Sequence, residues 1–376
     1  MRKKQILFTT DDLKIGGIEK ALVNLLNNLN YKKYDVHLLL QHKEGDLLPL
    51  LRKEIKVDDY HLSKISFWPL RKFINLFKQI FLGIKIYHQY DFAACFGTGY
   101  IPSSRMALLA SKNNACWMHT NIIDFIHNTT WYMNKNKNVE ERARIFLKKI
   151  YFQKFKHRIF VSQNAIKAYL SLYSDNDDGI ILCHNYVDGD DIIKKSNEKV
   201  DDMFEKKIIT FINISRYTEF DKRIKRIILA ASKLHQEKYA FQIIMIGDGE
   251  DRENYEKLVH EKKLDKVIHF IGKRVNPFPY LKKADCFLLS SKYEGFPTTF
   301  TEALTLNVPI ITTDVSDARS FIDGKYGIVV ENNDSDIYKG MKEYLDNGYK
   351  IKKKFDYKEF NEESLYKLYQ IIEEEK

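Results

Sequence analysis

The sequence predicts an α/β protein built from two tandem, Rossmann-like doubly wound domains facing across a cleft. Three observations carry that expectation. Short apolar runs of strand length alternate with helical periodicities, as in parallel strands joined by helical crossovers. The alternation breaks off in a polar stretch and then restarts. The 376 residues are also too many for one ordinary core and suit two domains of roughly 200 residues or fewer.

In the first half, "QILFTT" (5–10) reads as a buried strand. Gly16-Gly17 follows, and then Ile18, Leu22, Leu25, Leu26 and Leu29 recur at helical spacing. Further strands are expected at 35–41, 92–96, 115–118, 158–162 and 180–183. The segment "SNEKVDDMFEK" (196–206) is polar and has no apolar period, which sets the boundary between residues 1–198 and 199–355. "IITFINIS" (208–215) restarts the pattern, and Ile224, Ile227, Ile228, Ala231 and Leu234 mark one face of a helix. "FQIIMIG", a helix near 253–262, "VIHFIG", "CFLLS" and "VPIITT" complete it. An unbroken run such as "FQIIMI" suits a strand covered on both faces of a parallel sheet. No repeat with a solenoid period occurs.

Composition narrows the function classes. At 44% hydrophobic, 30% charged and 13% aromatic, the chain carries enough apolar material for real cores, which excludes disordered and low-complexity classes. The longest stretch without a charged residue is 13 residues, 92–104. A bilayer-spanning helix needs roughly 20 apolar residues, so an integral membrane protein is not expected. The start "MRKKQILFTTDD" lacks a signal-type apolar segment, and Cys95, Cys116, Cys183 and Cys286 form no Cys-x-x-Cys pair. Both features point to a reducing cytoplasm without disulfides or a zinc cage. The net charge of +10 is unevenly placed: residues 61–170 hold 17 basic and 4 acidic side chains. Such asymmetry implies an anionic partner. No helix-turn-helix, RNA-binding or zinc pattern accompanies it, which argues against nucleic acid.

In doubly wound sheets, ligands bind beyond the carboxyl ends of the strands. The sharpest motif there is "SSKYEGFPTTFTEALTLNVPIITTD" (290–314). A strand ends at Ser290, a Gly/Pro loop carries Glu294, and a short helix opens near 297–299 with Glu302 in its first turns. A helix N-terminus offers free N–H groups and partial positive charge, which suits a phosphate beside the Thr298 and Thr299 hydroxyls. The two carboxylates could accept hydrogen bonds from sugar hydroxyls. The plainer alternative is a helix whose N-terminal acids only complement its dipole. Two other motifs are set aside. Gly247-Asp248-Gly249 begins like a dinucleotide fingerprint, but Arg252 stands where a third Gly is needed. Asp188-Gly189-Asp190 reads as a turn rather than a metal site.

"EGFPTTFTEA" resembles the Glu, seven residues, Glu signature of glycosyltransferase family 4, retaining enzymes of the GT-B fold. The similarity extends over nearly the whole chain. "GGIEKALVNLLNNL" resembles the family's glycine loop and first helix, and "ACWMHT" the strand ending in its active-site histidine. "RIFVSQNAI", "ILCHNYVD", "ISRYTEFDKRIKRIILAASKL", "IIMIGDGEDRENYEKL", "VIHFIGKRVNPFPYLKKADCFLLSS" and "VPIITTDV" follow in the family's order. The resemblance implies that Arg216 and Lys222 clamp the donor diphosphate. The usual "EKG" is replaced by "EFDKR", so the clamp is Lys222 or Arg223, and Lys222 is favoured. It further implies that Glu294 contacts the donor sugar and Glu302 the ribose. Backbone N–H groups from Phe296 and Pro297 through Thr298 and Thr299 would meet the phosphates, and His119 would lie near the reacting sugar. Gly16, Gly17 and Gly247 join the donor-binding set, Gly16 and Gly17 by allowing close backbone approach. No metal or other cofactor is expected. The stretch 356–376 resembles the closing helix that crosses back to the first domain.

Two basic stretches, 65–90 and 142–158, mix aromatics with lysine and arginine. They read as helices that seek an anionic membrane surface, or as helices whose apolar face packs on the sheet. The resulting expectation is a cytoplasmic, membrane-peripheral transferase. It would move a sugar from a nucleoside diphosphate sugar, with UDP favoured, to a glycan or lipid-linked acceptor in bacterial surface polysaccharide synthesis. The alternatives are a catalytically silent GT-B partner subunit, or an epimerase or phosphorylase on the same fold.

Overall fold

A computed structural model describes residues 2–97, 101–119, 152–172, 178–200 and 208–374. Its strands are β1 (Lys4–Thr10), β2 (Tyr34–Leu40), β3 (Lys56–Asp59), β4 (Phe92–Cys95), β5 (Asn114–Met118), β6 (His157–Phe160) and β7 (Ile180–Leu182) in the first half. The second half carries β8 (Ile209–Ile214), β9 (Phe241–Ile246), β10 (Ile268–Gly272), β11 (Cys286–Leu289), β12 (Ile310–Thr313) and β13 (Gly327–Val330). They form two sheets in the orders β3-β2-β1-β4-β5-β6-β7 and β10-β9-β8-β11-β12-β13. Every described pairing is parallel.

The strand order explains where ligands can go. In each sheet the chain lays down three strands outward and then returns to the other side of the first. The direction of winding therefore reverses between β1 and β4, and between β8 and β11, and a crevice opens at each reversal. The central strands are buried because helices cover both faces: all six residues of β9 and all four of β11 are buried. In the second sheet, Phe211, Ile243, Met245 and Leu288 form a core with Ile224, Ile227, Ile228, Ala231 and Leu234 of the Ile224–Gln236 helix. That is the face anticipated from the sequence.

The chain divides into one unit of residues 1–187 plus 361–376 and a second of residues 188–360. The expected boundary near residue 198 is therefore displaced. The Gly189–Lys195 helix belongs to the second unit, where Asn276 Nδ2 donates to the Lys195 carbonyl (2.9 Å) and Lys282 Nζ to Asn197 Oδ1 (2.7 Å). Polarity marks where a linker is solvated, not which core it leaves. The closing helix, Tyr357–Glu373, contributes its first turn to the second unit and the remainder to the first. In the first unit, Asn361 both donates to and accepts from the Val187 backbone, at 2.7 and 2.9 Å, and Asn113 Nδ2 donates to the Ile371 carbonyl at 2.7 Å.

The short edge strands β3 and β13 were not anticipated. "KVDD" is too short and polar to show a period, and "GIVV" is only four residues long, although turn residues flank it on both sides. Cys95, Cys116, Cys183 and Cys286 are buried free thiols. Among the described residues, no helix is long and apolar enough to cross a membrane.

Candidate functional site

The second unit gathers most of the expected residues at its reversal point. Arg216 follows the end of β8, and Ser290 to Glu294 follow the end of β11. Since β8 and β11 are neighbours in parallel register, with Phe211 beside Cys286 and Ile212 beside Phe287, their carboxyl ends deliver both loops to one place. There Lys222 Nζ lies 2.5 Å from Glu294 Oε1. Asp221 bridges the cations: Arg216 Nη2 is 3.3 Å and Lys222 Nζ 4.0 Å from Asp221 Oδ2. Ser291 Oγ donates to the same Glu294 oxygen at 2.7 Å. The Lys222 and Glu294 side chains are largely buried, whereas Arg216 is 69% exposed. The result is a cluster with a buried lysine–glutamate pair and one exposed guanidinium held by Asp221.

Lys222 and Arg223 meet different carboxylates. Arg223 pairs with Glu219 at 3.5 Å, and its backbone takes a left-handed φ of 51° at the N-cap of the Ile224–Gln236 helix. That turn sends the two neighbouring side chains to different carboxylates. Lys222 is the one beside Glu294.

Several supports went unread in the sequence. Thr218 Oγ1 donates to Asp221 Oδ1, and Lys292 N donates to the Asp221 carbonyl at 2.7 Å, tying the two loops together. The buried Arg226 donates to the Ser290 carbonyl (3.1 Å), Asn332 Oδ1 (2.8 Å) and Asp334 Oδ1 (2.8 Å). Its guanidinium, through that hydrogen bond, holds the Asp334 carboxyl below its usual range. Asp221 and Arg226 sit in "EFDKRIKR", where a run of charges gives no hint of which ones turn inward.

The loop after Glu294 leads into the Thr298–Thr305 helix, which has Pro297 at its N-cap and no side chain capping it. Thr298 and Thr299 are half-buried at its opening, and Glu302, the fifth helical residue, is buried. Phe296 is also buried. Its ring stacks on Phe360 (6.1 Å between centroids) and meets Phe321 edge-on (5.3 Å). Any contact of Phe296 with a phosphate therefore has to use its backbone, because its side chain is occupied in holding the loop.

Gly247, left-handed at φ +149°, sits where a Cβ would fall 1.8 Å from the Ser215 carbonyl oxygen. A Cβ at Gly249 would fall 2.3 Å from the Tyr217 carbonyl oxygen. These glycines let the loop after β9 lie against the segment that carries Arg216, and Tyr217 N donates to the Asp248 carbonyl at 2.9 Å. Gly247 thus touches the protein backbone at Ser215, next to Arg216. Asp188 caps the Gly189–Lys195 helix through Asp191 N (3.1 Å), and Asp190 accepts from the Tyr357 hydroxyl (2.7 Å).

In the first unit, Gly16 is the extended N-cap of the Gly17–Asn27 helix, and a Cβ at Gly17 would meet nothing within 4 Å. His119 directly follows β5 and is buried, its ring 4.7 Å from that of Phe96. Burial lowers its pKa to about 3, so the imidazole is neutral at physiological pH.

Two parallel α/β units, each reversing its winding beside its first strand, define the GT-B class, with the ionic cluster at the second reversal. Residues 15–191 match the family described as Glycosyltransferase Family 4, and residues 194–362 match Glycosyl transferases group 1. The chain belongs to this family of glycosyltransferases. It is 24% identical over 334 residues to a Campylobacter jejuni enzyme, covering 88% of this chain and 87% of that one. That enzyme is named N-acetylgalactosamine-N,N'-diacetylbacillosaminyl-diphospho-undecaprenol 4-alpha-N-acetylgalactosaminyltransferase. An uncharacterized glycosyltransferase of Methanocaldococcus jannaschii is 31% identical over 201 residues, and this match spans about half of each chain, 48% and 49%. Among solved structures, HepE of Anabaena in complex with UDP superposes with a TM-score of 0.74 at 14% identity, covering 97% of this chain and all of the other. TarM of S. aureus gives 0.73 at 14% identity, covering 99% and 100%. At such identities these two likenesses concern the fold.

Proposed function

We propose that this protein is a retaining glycosyltransferase that moves a sugar from a UDP-sugar to a hydroxyl of a glycan or lipid-linked acceptor in bacterial surface polysaccharide synthesis. The observation that carries the donor assignment is the meeting of Arg216, Lys222 and Glu294 where β8 and β11 end. Two cations and an uncapped helix N-terminus at a strand-order reversal suit a diphosphate. Relatives named for the transfer of sugars to a diphospho-undecaprenol glycan and for O-antigen biosynthesis support the acceptor class, and complexes of HepE with UDP support the base.

In this reading Lys222 exchanges Glu294 for a donor phosphate. The freed carboxylate then accepts hydrogen bonds from the sugar, with Ser291 orienting it. Arg216 swings onto the diphosphate, and both cations stabilise the charge that develops as the sugar–phosphate bond breaks. The departing phosphate takes the acceptor proton, and no metal is needed. Backbone N–H groups from Phe296 to Thr299 bind phosphate oxygens and Glu302 the ribose. Gly16 and Gly17 admit close backbone approach, and the neutral His119 ring contributes a hydrogen bond to a sugar hydroxyl. The unit of residues 1–187 and 361–376 carries acceptor recognition and that of residues 188–360 the donor.

The test is nucleotide release from UDP-, GDP- and ADP-sugars, with and without a bacterial lipid extract. Release from a UDP-sugar that rises with the extract is expected, and Glu294→Gln should abolish it. Turnover without any acceptor, turnover that needs manganese after chelation, or silence of folded protein across the panel would each overturn part or all of this assignment.

A further inference from the structure

The Trp68–Ile86 helix of the first unit carries an apolar face that the fold leaves uncovered. Its buried residues are Gly83 and Ile86 alone. Asn75 holds it through Ser63 N (2.6 Å), and a Cβ at Gly83 would come 3.0 Å from Leu109 of the Ile101–Ala110 helix, so that side is closely packed. The other side is open: Phe73, Phe81 and Ile84 are 59%, 71% and 70% exposed. At about 100° per residue, Leu70, Phe73, Phe77, Ile80, Phe81 and Ile84 fall within a single arc of about 100° opposite the packed face. Lys78 and Lys85 border this stripe on one flank, while Lys72 turns away from it and stands over the Trp68 ring, its Nζ 4.0 Å from the centroid. No acidic residue occurs between Ser63 and Tyr90, whereas Lys64, Arg71, Lys72, Lys78 and Lys85 do.

We infer that this helix lies flat in the interface of an anionic lipid bilayer, with its aromatic stripe among the acyl-chain ends and its flanking lysines at the headgroups. An apolar stripe of this size is too large for an ordinary soluble surface. The lysines on its flank, in a segment without a single acid, are what selects lipid over a second copy of the chain, because a self-pairing face would bring like charges together. The companion stretch 142–158 does not share this assignment. Residues 142–151 lie outside the described residues, and Phe152 and Phe155 are buried in the first unit's core.

The inference needs no donor or acceptor, so it stands or falls apart from the proposed activity. The full chain is sedimented with vesicles of phosphatidylcholine alone and with added phosphatidylglycerol at low salt. Binding to the anionic vesicles about tenfold or more above the neutral ones is expected. Phe73→Ser, Phe77→Ser and Phe81→Ser together should remove it while leaving the circular dichroism and urea midpoint near wild type, since these rings touch little else. Should the triple variant fail to fold, Lys72→Gln, Lys78→Gln and Lys85→Gln together supply the test by erasing the preference for anionic vesicles. Wild-type protein remaining in the supernatant would overturn the inference, as would equal binding to both vesicle types or a folded serine variant that binds as wild type does. So would a concentration-dependent dimer, lost in the serine variant, with no vesicle binding.

Discussion

Lys222 and Arg223 are adjacent cations in a charged run, yet the structure gives them different partners. Lys222 is largely buried 2.5 Å from Glu294, while Arg223 pairs with Glu219 on the far side of a left-handed residue. A preorganised charge aimed at the leaving group contributes far more than one held by a remote carboxylate. Lys222→Met is therefore expected to lower turnover on the order of 10²–10³-fold, and Arg223→Met by no more than a few-fold. Steady-state nucleotide release measures both. Equal losses in the two variants would mean that the lysine–glutamate pair is only structural. Asp221 separates the roles further: it holds both cations in the absence of donor, so Asp221→Asn should alter KM for the donor more than kcat.

The loops become a site only because other elements press them into place. Gly247 is the clearest case, since its left-handed φ and the Ser215 carbonyl 1.8 Å from where a Cβ would fall exclude any side chain. Gly247→Ala should cost at least about 1–3 kcal/mol and shift the Ser215–Tyr217 segment. The expected signature is a lower urea midpoint together with weaker donor binding, and a variant with wild-type values for both would refute the role. This loop also shows what the sequence could disclose. The central strands and the Ile224–Gln236 helix were readable because burial on two faces, or on one stripe, leaves a period. Glu294 and Glu302 were readable through the family motif. Arg226 and Asp221 were not, because the importance of the one lies in contacts across 64 to 108 positions of sequence and that of the other in which way a charged turn faces. The exposure of the Trp68–Ile86 stripe was likewise open, since an amphipathic period does not say whether the sheet or something else covers the apolar side.

The two units should answer acid differently. In the first, His37, His119 and His157 all have pKa values lowered chiefly by burial. A buried histidine that stays neutral when folded but protonates when unfolded makes the unfolded state bind more protons. Its contribution is intact above the ordinary pKa of 6.5 and is lost as pH falls toward the folded value, about 3 for His119. Between pH 7.5 and 5.5 the first unit should thus weaken while the second changes little, since the lowered carboxyls of the second unit, such as Asp334 and Asp336, matter only at lower pH. Asp11 and Glu19, pushed up by burial in the first unit, act in the opposite sense, so a His119→Phe variant is needed to isolate the ring. Trp68, Trp117 and Trp131 all fall within residues 1–187, so tryptophan fluorescence follows that unit while far-ultraviolet circular dichroism follows both. Urea unfolding at pH 5.5 should show the fluorescence transition moving to lower urea and separating from the dichroism transition, with a smaller movement in His119→Phe. Coincident transitions at both pH values, or equal movement in wild type and variant, would show that burial of these histidines does not set the molecule's acid response.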